Sequence, residues 1–441
     1  MPKEVCLRLA IFTLAVFWSA SADAATIRLQ WDPSTGAKGY FLKYGTRTGS
    51  YTTSVNVGNV TAYSVDNLTP GTRYYFAVQA YNDTTSSTLS AEVSWTPPIA
   101  ATTTVRSGWD YDGDILADVF AINPRTGVWS INLSAGSGDF NLAQIGGWAI
   151  GWNLYPADFN NDGLSDFLLY NPTNGLVLKA IGTSIGAFSY SPLMSWAAGW
   201  SPYILDLNGD GRSDVFVYNR STGIWAKCVS TGDGTGGFSY ESGAWAPGWE
   251  IHVVEFDGNN RADLFLYSRT SGQWSKALNT TTGFALSNGA WTATYWNITI
   301  LDLNADGRSD LFLYDPSGGV WFRAVSTVIG FSYTSGAWAP GSKISKADWD
   351  GNGRGDLFVY NPKSGSWAKV YNDGATFSYD LGQWWSSWQT YVTDLNGDGN
   401  SDVFVYNPET GIWCQALTNA TGGFSYTSGS WAPGLEPIAT R

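Results

Sequence analysis

The residues best placed to do chemistry in this sequence are acidic and amide side chains set two positions apart. Asp206-Leu-Asn-Gly-Asp-Gly-Arg-Ser-Asp214 puts side-chain oxygens at positions 1, 3, 5 and 9 of one short stretch, with glycine to bend it. Such a turn gathers carboxylate and amide oxygens around a hard cation such as Ca2+ at about 2.3–2.6 Å, and a backbone carbonyl near position 7 can add another ligand. The third loop, with Asp206, Asn208, Asp210 and Asp214, is one of seven. The first has Asp110, Asp112, Asp114 and Asp118; the second Asp158, Asn160, Asp162 and Asp166; the fourth Glu255, Asp257, Asn259 and Asp263. The fifth has Asp302, Asn304, Asp306 and Asp310; the sixth Asp348, Asp350, Asn352 and Asp356; the seventh Asp394, Asn396, Asp398 and Asp402. The expected chemistry is ligation of Ca2+ at up to seven sites. Carboxylates committed to a metal are poor general acids, and a catalytic site tends to be unique where these features repeat, so no enzyme is expected.

The elements that hold these loops follow from their spacing. Successive loop starts lie 48, 48, 49, 47, 46 and 46 residues apart, a period in the range of propeller blades. The loops lack the twelfth-position Glu and the helical flanks of an EF-hand. A short apolar run follows the loop, as in Val215–Tyr218, Leu264–Tyr267, Leu311–Tyr314, Leu357–Tyr360 and Val403–Tyr406, which reads as a strand covered on both faces. A turn such as Asn219-Arg-Ser-Thr-Gly223 leads to a second run carrying Trp225, Trp274, Trp321, Trp367 or Trp413. A third run alternates, as in Gly237-Phe-Ser-Tyr240, and Tyr203-Ile-Leu-Asp206 supplies a strand entering the loop. Four strands in each of seven repeats predict an all-β, seven-bladed β-propeller over residues 105–441.

These residues resemble the FG-GAP or VCBS repeat family, written here as Asp-x-Asn-Gly-Asp-Gly-Arg-Ser-Asp-Val-Phe-Val-Tyr-Asn-x-x-Thr-Gly-x-Trp. The resemblance covers residues 105–434 and implies a Ca2+-binding propeller like those of integrin α-subunit heads and certain fungal lectins. The departures are Glu255 for the first Asp of the fourth loop, and Val177 or Leu178 where the second repeat should carry its Trp.

A net charge of -13 suggests cationic partners until the loops are considered. Most of the acidic residues sit at ligand positions, and seven dications would leave the protein close to neutral. Nucleic acid is not an expected partner: Arg212, Arg261, Arg308 and Arg354 stand apart in separate repeats beside carboxylates and form no basic stripe. Cys228 and Cys414 belong to the third and seventh repeats, too far apart for a bridge, and read as small buried thiols.

Residues 1–24 carry Lys3 and Arg8, an apolar core from Leu9 to Phe17, and Ala22-Asp-Ala24. This is the pattern of a secretory signal peptide, too short to span a membrane. A secreted or cell-surface protein without membrane insertion is expected, in a compartment where weak Ca2+ sites of about 10⁻⁴–10⁻³ M would fill. Residues 25–98 alternate as strands, and Leu68-Thr-Pro-Gly-Thr-Arg-Tyr74 resembles the tyrosine corner of a fibronectin type III sandwich, with Trp31 as its core tryptophan. That resemblance implies a spacer or adhesive module. Residues 99–104 read as a linker. Two segments compete to complete the propeller ring: Thr102–Trp109 and Glu436–Arg441.

Other motifs carry little chemistry. His252, the single histidine, falls in the strand entering the fourth loop, and nothing near it suggests a partner for a His-assisted nucleophile. Gly182-Thr-Ser-Ile-Gly186 fits a nucleophile-elbow pattern, and residues 232–237 fit a dinucleotide fingerprint, but neither has the helix its mechanism needs.

The 24 tryptophans are more informative. Trp148, Trp196, Trp245, Trp291 and Trp384 are each followed four residues later by an aromatic: Trp152, Trp200, Trp249, Tyr295 and Trp388. These rings fill wedges between blades, or the second of each pair stacks on a sugar at an inter-blade crevice; the lectins of the resembling family bind sugars there. The leading expectation is a multivalent carbohydrate-binding protein. Adhesion or scaffolding through an extracellular protein ligand is the alternative, and a targeting domain for a polysaccharide-degrading system the third.

Overall fold

The computed structural model describes residues 7–8, 25–68, 72–95, 110–114, 116–136, 139–183, 187–231, 237–419 and 422–438. Backbone packing divides the chain into two compact units, the first made of Met1–Ala101 with Gly351–Gly353 and the second of the remainder. Among the described residues every regular element is a strand, and no helix is long and apolar enough to cross a membrane.

The first unit is a sandwich of two antiparallel sheets. One joins Ala25–Trp31 to Ala62–Leu68 and to the pair Leu7–Arg8; the other runs Thr53–Gly58, Gly39–Gly45, Tyr74–Tyr81, Val93–Trp95. Alternation along these strands sends Leu29, Trp31, Tyr40, Leu42, Phe76 and Val78 into one core. Trp31 sits there, edge-on to Tyr40 with ring centroids 5.6 Å apart. Apart from Leu7–Arg8, the predicted signal segment lies outside the described residues, as do residues 69–71 of the tyrosine corner, the linker, and Thr102–Trp109.

The second unit is a β-propeller-like array. In its third sheet Ser201–Leu205, Asp214–Tyr218, Ile224–Ser230 and Phe238–Ala244 pair in that order, each antiparallel to the next. The same four-strand order recurs at 153–195, 250–290, 297–337, 343–383 and 389–430. In the second sheet the outer strand is split into Phe188–Tyr190 and Met194–Ser195. The strand after each loop is buried along its length in these sheets, apart from a half-buried Val359, which explains its continuously apolar sequence.

The competition for the first sheet is settled by the C-terminal segment. Val119–Ile122, Val128–Ser134 and Phe140–Gly147 are completed by Glu436–Pro437, with Glu436 opposite Ile122. Each sheet shares its core with the next, and the first shares one with the seventh, where Val119 and Ala121 meet Leu395, Phe404 and Trp413. We call these shared interfaces seams.

One cross-strand pair fixes how the outer strand lies on its sheet. Trp225 stands opposite Gly243, and a Cβ at Gly243 would come within 2.3 Å of the indole. Trp129, Trp274, Trp321, Trp367 and Trp413 face Gly146, Gly289, Gly336, Gly382 and Gly429 in the same way. In the second sheet, where the tryptophan is missing, Val177 faces Met194, so the volume changes sides of the pair.

Candidate metal loops and seam crevices

From the second sheet on, each Asp loop follows the innermost strand of its sheet, and every loop curls on its own amides. In the third loop Asp206 accepts from Gly209 N (2.7 Å) and Gly211 N (2.8 Å), Asn208 Oδ1 from Asp210 N (3.0 Å), and Asp210 Oδ1 from Arg212 N (2.9 Å). The glycines hold φ near +80°, a conformation few other residues adopt. The position-9 carboxylate is buried beneath the curl. Asp214 Oδ2 accepts from Leu207 N (2.9 Å) and Oδ1 from Ser230 N (2.7 Å) at the far end of the third strand. Asp118, Asp166, Asp263, Asp310, Asp356 and Asp402 repeat both bonds and are likewise fully buried.

Burial first, and then the other loop carboxylates, push the position-9 acids up: Asp118 to about 8, Asp214, Asp263, Asp356, Asp402 and Asp166 to about 7, and Asp310 to about 6. In the first, fourth and sixth loops a carboxylate oxygen from each of positions 1, 3 and 9 lies within 4.8 Å of the others: Asp110, Asp112 and Asp118; Glu255, Asp257 and Asp263; Asp348, Asp350 and Asp356. Asp114 stands outside its group, its Oδ1 held by Leu116 N at 2.8 Å. The second, third, fifth and seventh loops have Asn at position 3. In the second, Asp158 Oδ1 is buried with no hydrogen-bond partner. Crowded, desolvated, all-oxygen donor sets with an unsatisfied lone pair fit a hard dication. In the third loop Arg212 Nη2 already lies 2.7 Å from Asp210 Oδ2.

The loops are also joined to one another. The backbone carbonyl at position 1 accepts from the amide at position 8 of the following loop: Asp110 from Ser165, Asp158 from Ser213, Asp206 from Ala262 and Asp348 from Ser401, at 2.6–2.7 Å. Ser213, Ser309 and Ser401 return the contact by accepting through Oγ from the position-1 amides of Asp158, Glu255 and Asp348.

Sequence reasoning missed a ladder of buried cations. Lys179, Lys227, Lys276, Arg323 and Lys369 are almost wholly buried, and each reaches across its seam over a phenylalanine ring of the next sheet, at 3.9–5.1 Å. Each also donates to a side chain there: Ser230, Asn279, Ser326, Asn372 and Thr418 respectively. Those five residues are the ones whose amides hold the position-9 Asp of the next loop. Burial lowers the ammonium groups of Lys276 and Lys369 to about 8. The signal was available as Trp-x-Lys or Trp-x-Arg in four repeats. In the seventh repeat Gln415 takes this place, fully buried, with neither side-chain oxygen nor nitrogen bonded.

The paired aromatics divide. Trp148, Trp196, Trp291, Trp338 and Trp384 are half-buried, and each donates from Nε1 to a phenol of the next sheet: Tyr190, Tyr240, Tyr333, Tyr379 and Tyr426, at 2.7–3.3 Å. Those tyrosines are exposed. Of the second members, Trp152, Trp200 and Trp249 are half-buried and pack against seam cores. Tyr295 is 73% exposed, whereas Trp388 is only 9% exposed, leaving it little free face. At the sixth seam a crevice of about 530 Å³ opens beside Gln383, Trp384, Trp385, Trp388, Cys414 and Tyr426.

His252 Nε2 lies 3.2 Å from Glu250 Oε1, and Arg269 also holds that carboxylate. Burial would raise the Glu250 acid, but His252 and Arg269 outweigh it and hold it down at about 2. Residues 184–186 and 232–236 of the two glycine patterns lie outside the described residues. Cys228 is buried and Cys414 half-buried, both free thiols, and burial pushes the Cys228 thiol to about 12.

Residues 17–96 match the fibronectin type III domain family. The N-terminal unit is a fibronectin type III domain. Over 79 residues the chain is 40% identical to a Kelch domain-containing protein of Saccharolobus solfataricus and 35% identical to one of Sulfurisphaera tokodaii. Each match covers 18% of this chain and spans only 11% of the relative. Among solved structures it is similar to a putative 6-phosphogluconolactonase from Bacteroides uniformis (12% identity, 75% of this chain and 98% of that one, TM-score 0.47). It is also similar to a functionally unknown protein from Desulfotomaculum acetoxidans (8%, 73% and 98%, 0.45). A third is the WD40 domain of Toxoplasma gondii coronin (11%, 63% and 70%, 0.40).

Proposed function

We propose that the protein is a secreted recognition molecule: a fibronectin type III spacer followed by a closed, seven-bladed, FG-GAP/VCBS-type propeller that takes up Ca2+ in its Asp loops and binds carbohydrate at its seams. Closure is supported by the core shared between the first and seventh sheets. The metal's part is mechanical. Ca2+ would be held by the oxygens of positions 1, 3, 5 and 9, neutralising acids that otherwise repel one another, and would stiffen the loops without taking part in a reaction. Nothing in this reading calls for catalysis.

The observation that carries the carbohydrate reading is the repeated Trp–Tyr pair, five times bridging a seam by an indole-to-phenol hydrogen bond with the tyrosine exposed. A flat ring bearing polar atoms at its rim suits a sugar, which is apolar on one face and hydroxylated at its edge. Weak sites repeated on one rigid body act together through avidity. The test is binding of the Ca2+-loaded protein to a glycan array, repeated in EDTA, with the bound metal counted by elemental analysis. A blank array from folded, loaded protein rejects the carbohydrate reading. The adhesion reading is favoured by one feature, the exposed pair Val328 (88%) and Ile329 (79%) on a hairpin of the fifth sheet.

A further inference from the structure

We infer that the sixth seam is the principal ligand site, and that it takes a neutral saccharide with one pyranose ring laid against Trp385; this rests on the carbohydrate reading above. The connection leaving the outer strand follows one pattern except in the fourth sheet, which has Thr292 and Thr294 at the two positions, and in the sixth. Ala149, Ala197, Ala246, Ala339 and Ala432 follow its tryptophan, and glycine stands two residues later at Gly151, Gly199, Gly248, Gly341 and Gly434. In the sixth sheet the connection reads Gln383-Trp-Trp-Ser-Ser-Trp388, so Trp385 replaces the alanine and Ser387 the glycine.

The backbone path is unchanged by these replacements. Tyr360 donates through its hydroxyl to Trp385 O (3.0 Å) and accepts from Trp388 N (3.2 Å). Tyr170 makes the same two bonds, to Ala197 O and from Trp200 N. Ser387 adopts φ +69°, a left-handed conformation that costs a serine about 1 kcal/mol or more. A large ring and a strained serine on an otherwise standard turn alter the surface and leave the fold alone.

That surface is the aromatic crevice. Trp385 is 78% exposed at its mouth and Tyr426 54%, with Trp388 behind. The free polar atoms are few. Tyr426 accepts from Trp384 Nε1, which leaves its own proton to give. Gln383 donates through Nε2 to Ser364 O and Trp384 O, which leaves its Oε1 to accept. None of the lining side chains is charged, so nothing there would neutralise a uronate or sialate. An apolar cleft with a small number of placed donors and acceptors is how small-ligand sites are built.

The test uses the full chain in millimolar Ca2+ on an array of neutral and acidic oligosaccharides, comparing wild type with Trp385→Ala, Gln383→Ala, Tyr426→Phe and, at another seam, Tyr240→Phe. The expected result is binding to neutral glycans that weakens about tenfold or more in Trp385→Ala. Tyr426→Phe should weaken it less, and Tyr240→Phe, at a seam with no counterpart of Trp385, least of the set, with melting temperatures unchanged. Should Trp385→Ala fold poorly, Gln383→Ala and Tyr426→Phe carry the comparison. Neutral-glycan binding indifferent to all three sixth-seam changes, or binding confined to acidic glycans, overturns the inference and leaves the carbohydrate reading standing. No binding by wild type removes both.

Discussion

The two ends of each repeat sheet teach different lessons. At one end lies the Asp loop, nearly identical seven times, each position-9 Asp held by the same two amides. At the other lies the connection to the next sheet, where Trp–Tyr pairs come and go, the second aromatic lapses to Ser342 or Leu435, and one sheet carries Trp385. Within this chain, repetition marks what every sheet needs in order to stand, and departure from the repeat marks where the surface is particular.

Removing metal tests the first half of that contrast and should give the largest effect. A loop filled at a hundredfold excess over its dissociation constant contributes about 2.7 kcal/mol. Chelation should therefore lower the melting temperature of the repeat unit by more than any single substitution, as read by calorimetry with and without EDTA. An unchanged melting curve would mean that the loops are self-sufficient turns. Next in size, Gly289→Ala drives a Cβ to within 2.1 Å of the Trp274 indole and should cost about 1–3 kcal/mol in urea unfolding. A neutral result would show that the tryptophan–glycine pairing is loose.

The buried ladder sharpens the comparison between seams. Lys369→Met strands Gly422 O and removes the donor to Thr418 Oγ1, which keeps its own bond to Ser401 O, and should destabilise by about 1–3 kcal/mol. Gln415→Met removes two buried atoms that have no partner and should be neutral or stabilising. Equal losses from both would mean that hydrogen bonding contributes nothing to the difference between these seams. The smallest effect concerns pH. Glu250 ionises near 2, below its ordinary 4.5, so its contribution is complete above pH 4.5 and is lost as pH falls toward 2. Glu250→Gln should narrow its stability gap from wild type over that interval; a constant gap would show that the contacts with His252 and Arg269 are not charge-dependent.

Much of this was legible in the residues. Periodicity and short apolar runs are local signals, and they placed the strands, the loops and the tryptophan-bearing run, though not the outer-strand glycines those indoles face. The closing strand was not legible, because Thr102–Trp109 and Glu436–Arg441 have equal claims until pairing across more than three hundred residues is seen. The cation ladder escaped because a lysine in a strand reads as surface, and only the neighbouring sheet supplies the ring above it. Four-residue spacing could not tell Trp388, buried, from Tyr295, exposed. A search for repeats also passes over Trp385, whose interest lies in breaking one.

The pairing of Glu436–Pro437 with Val119–Ile122 also sets the order in which the molecule is made. A ribosome releases the first sheet as three strands with an open inner edge, and the fourth is not synthesised until every other sheet has emerged. The growing chain must keep that edge from pairing elsewhere while some three hundred residues follow it, the circumstance in which multi-unit β proteins misassemble. The first sheet is therefore completed only after the strands of every other sheet have been made.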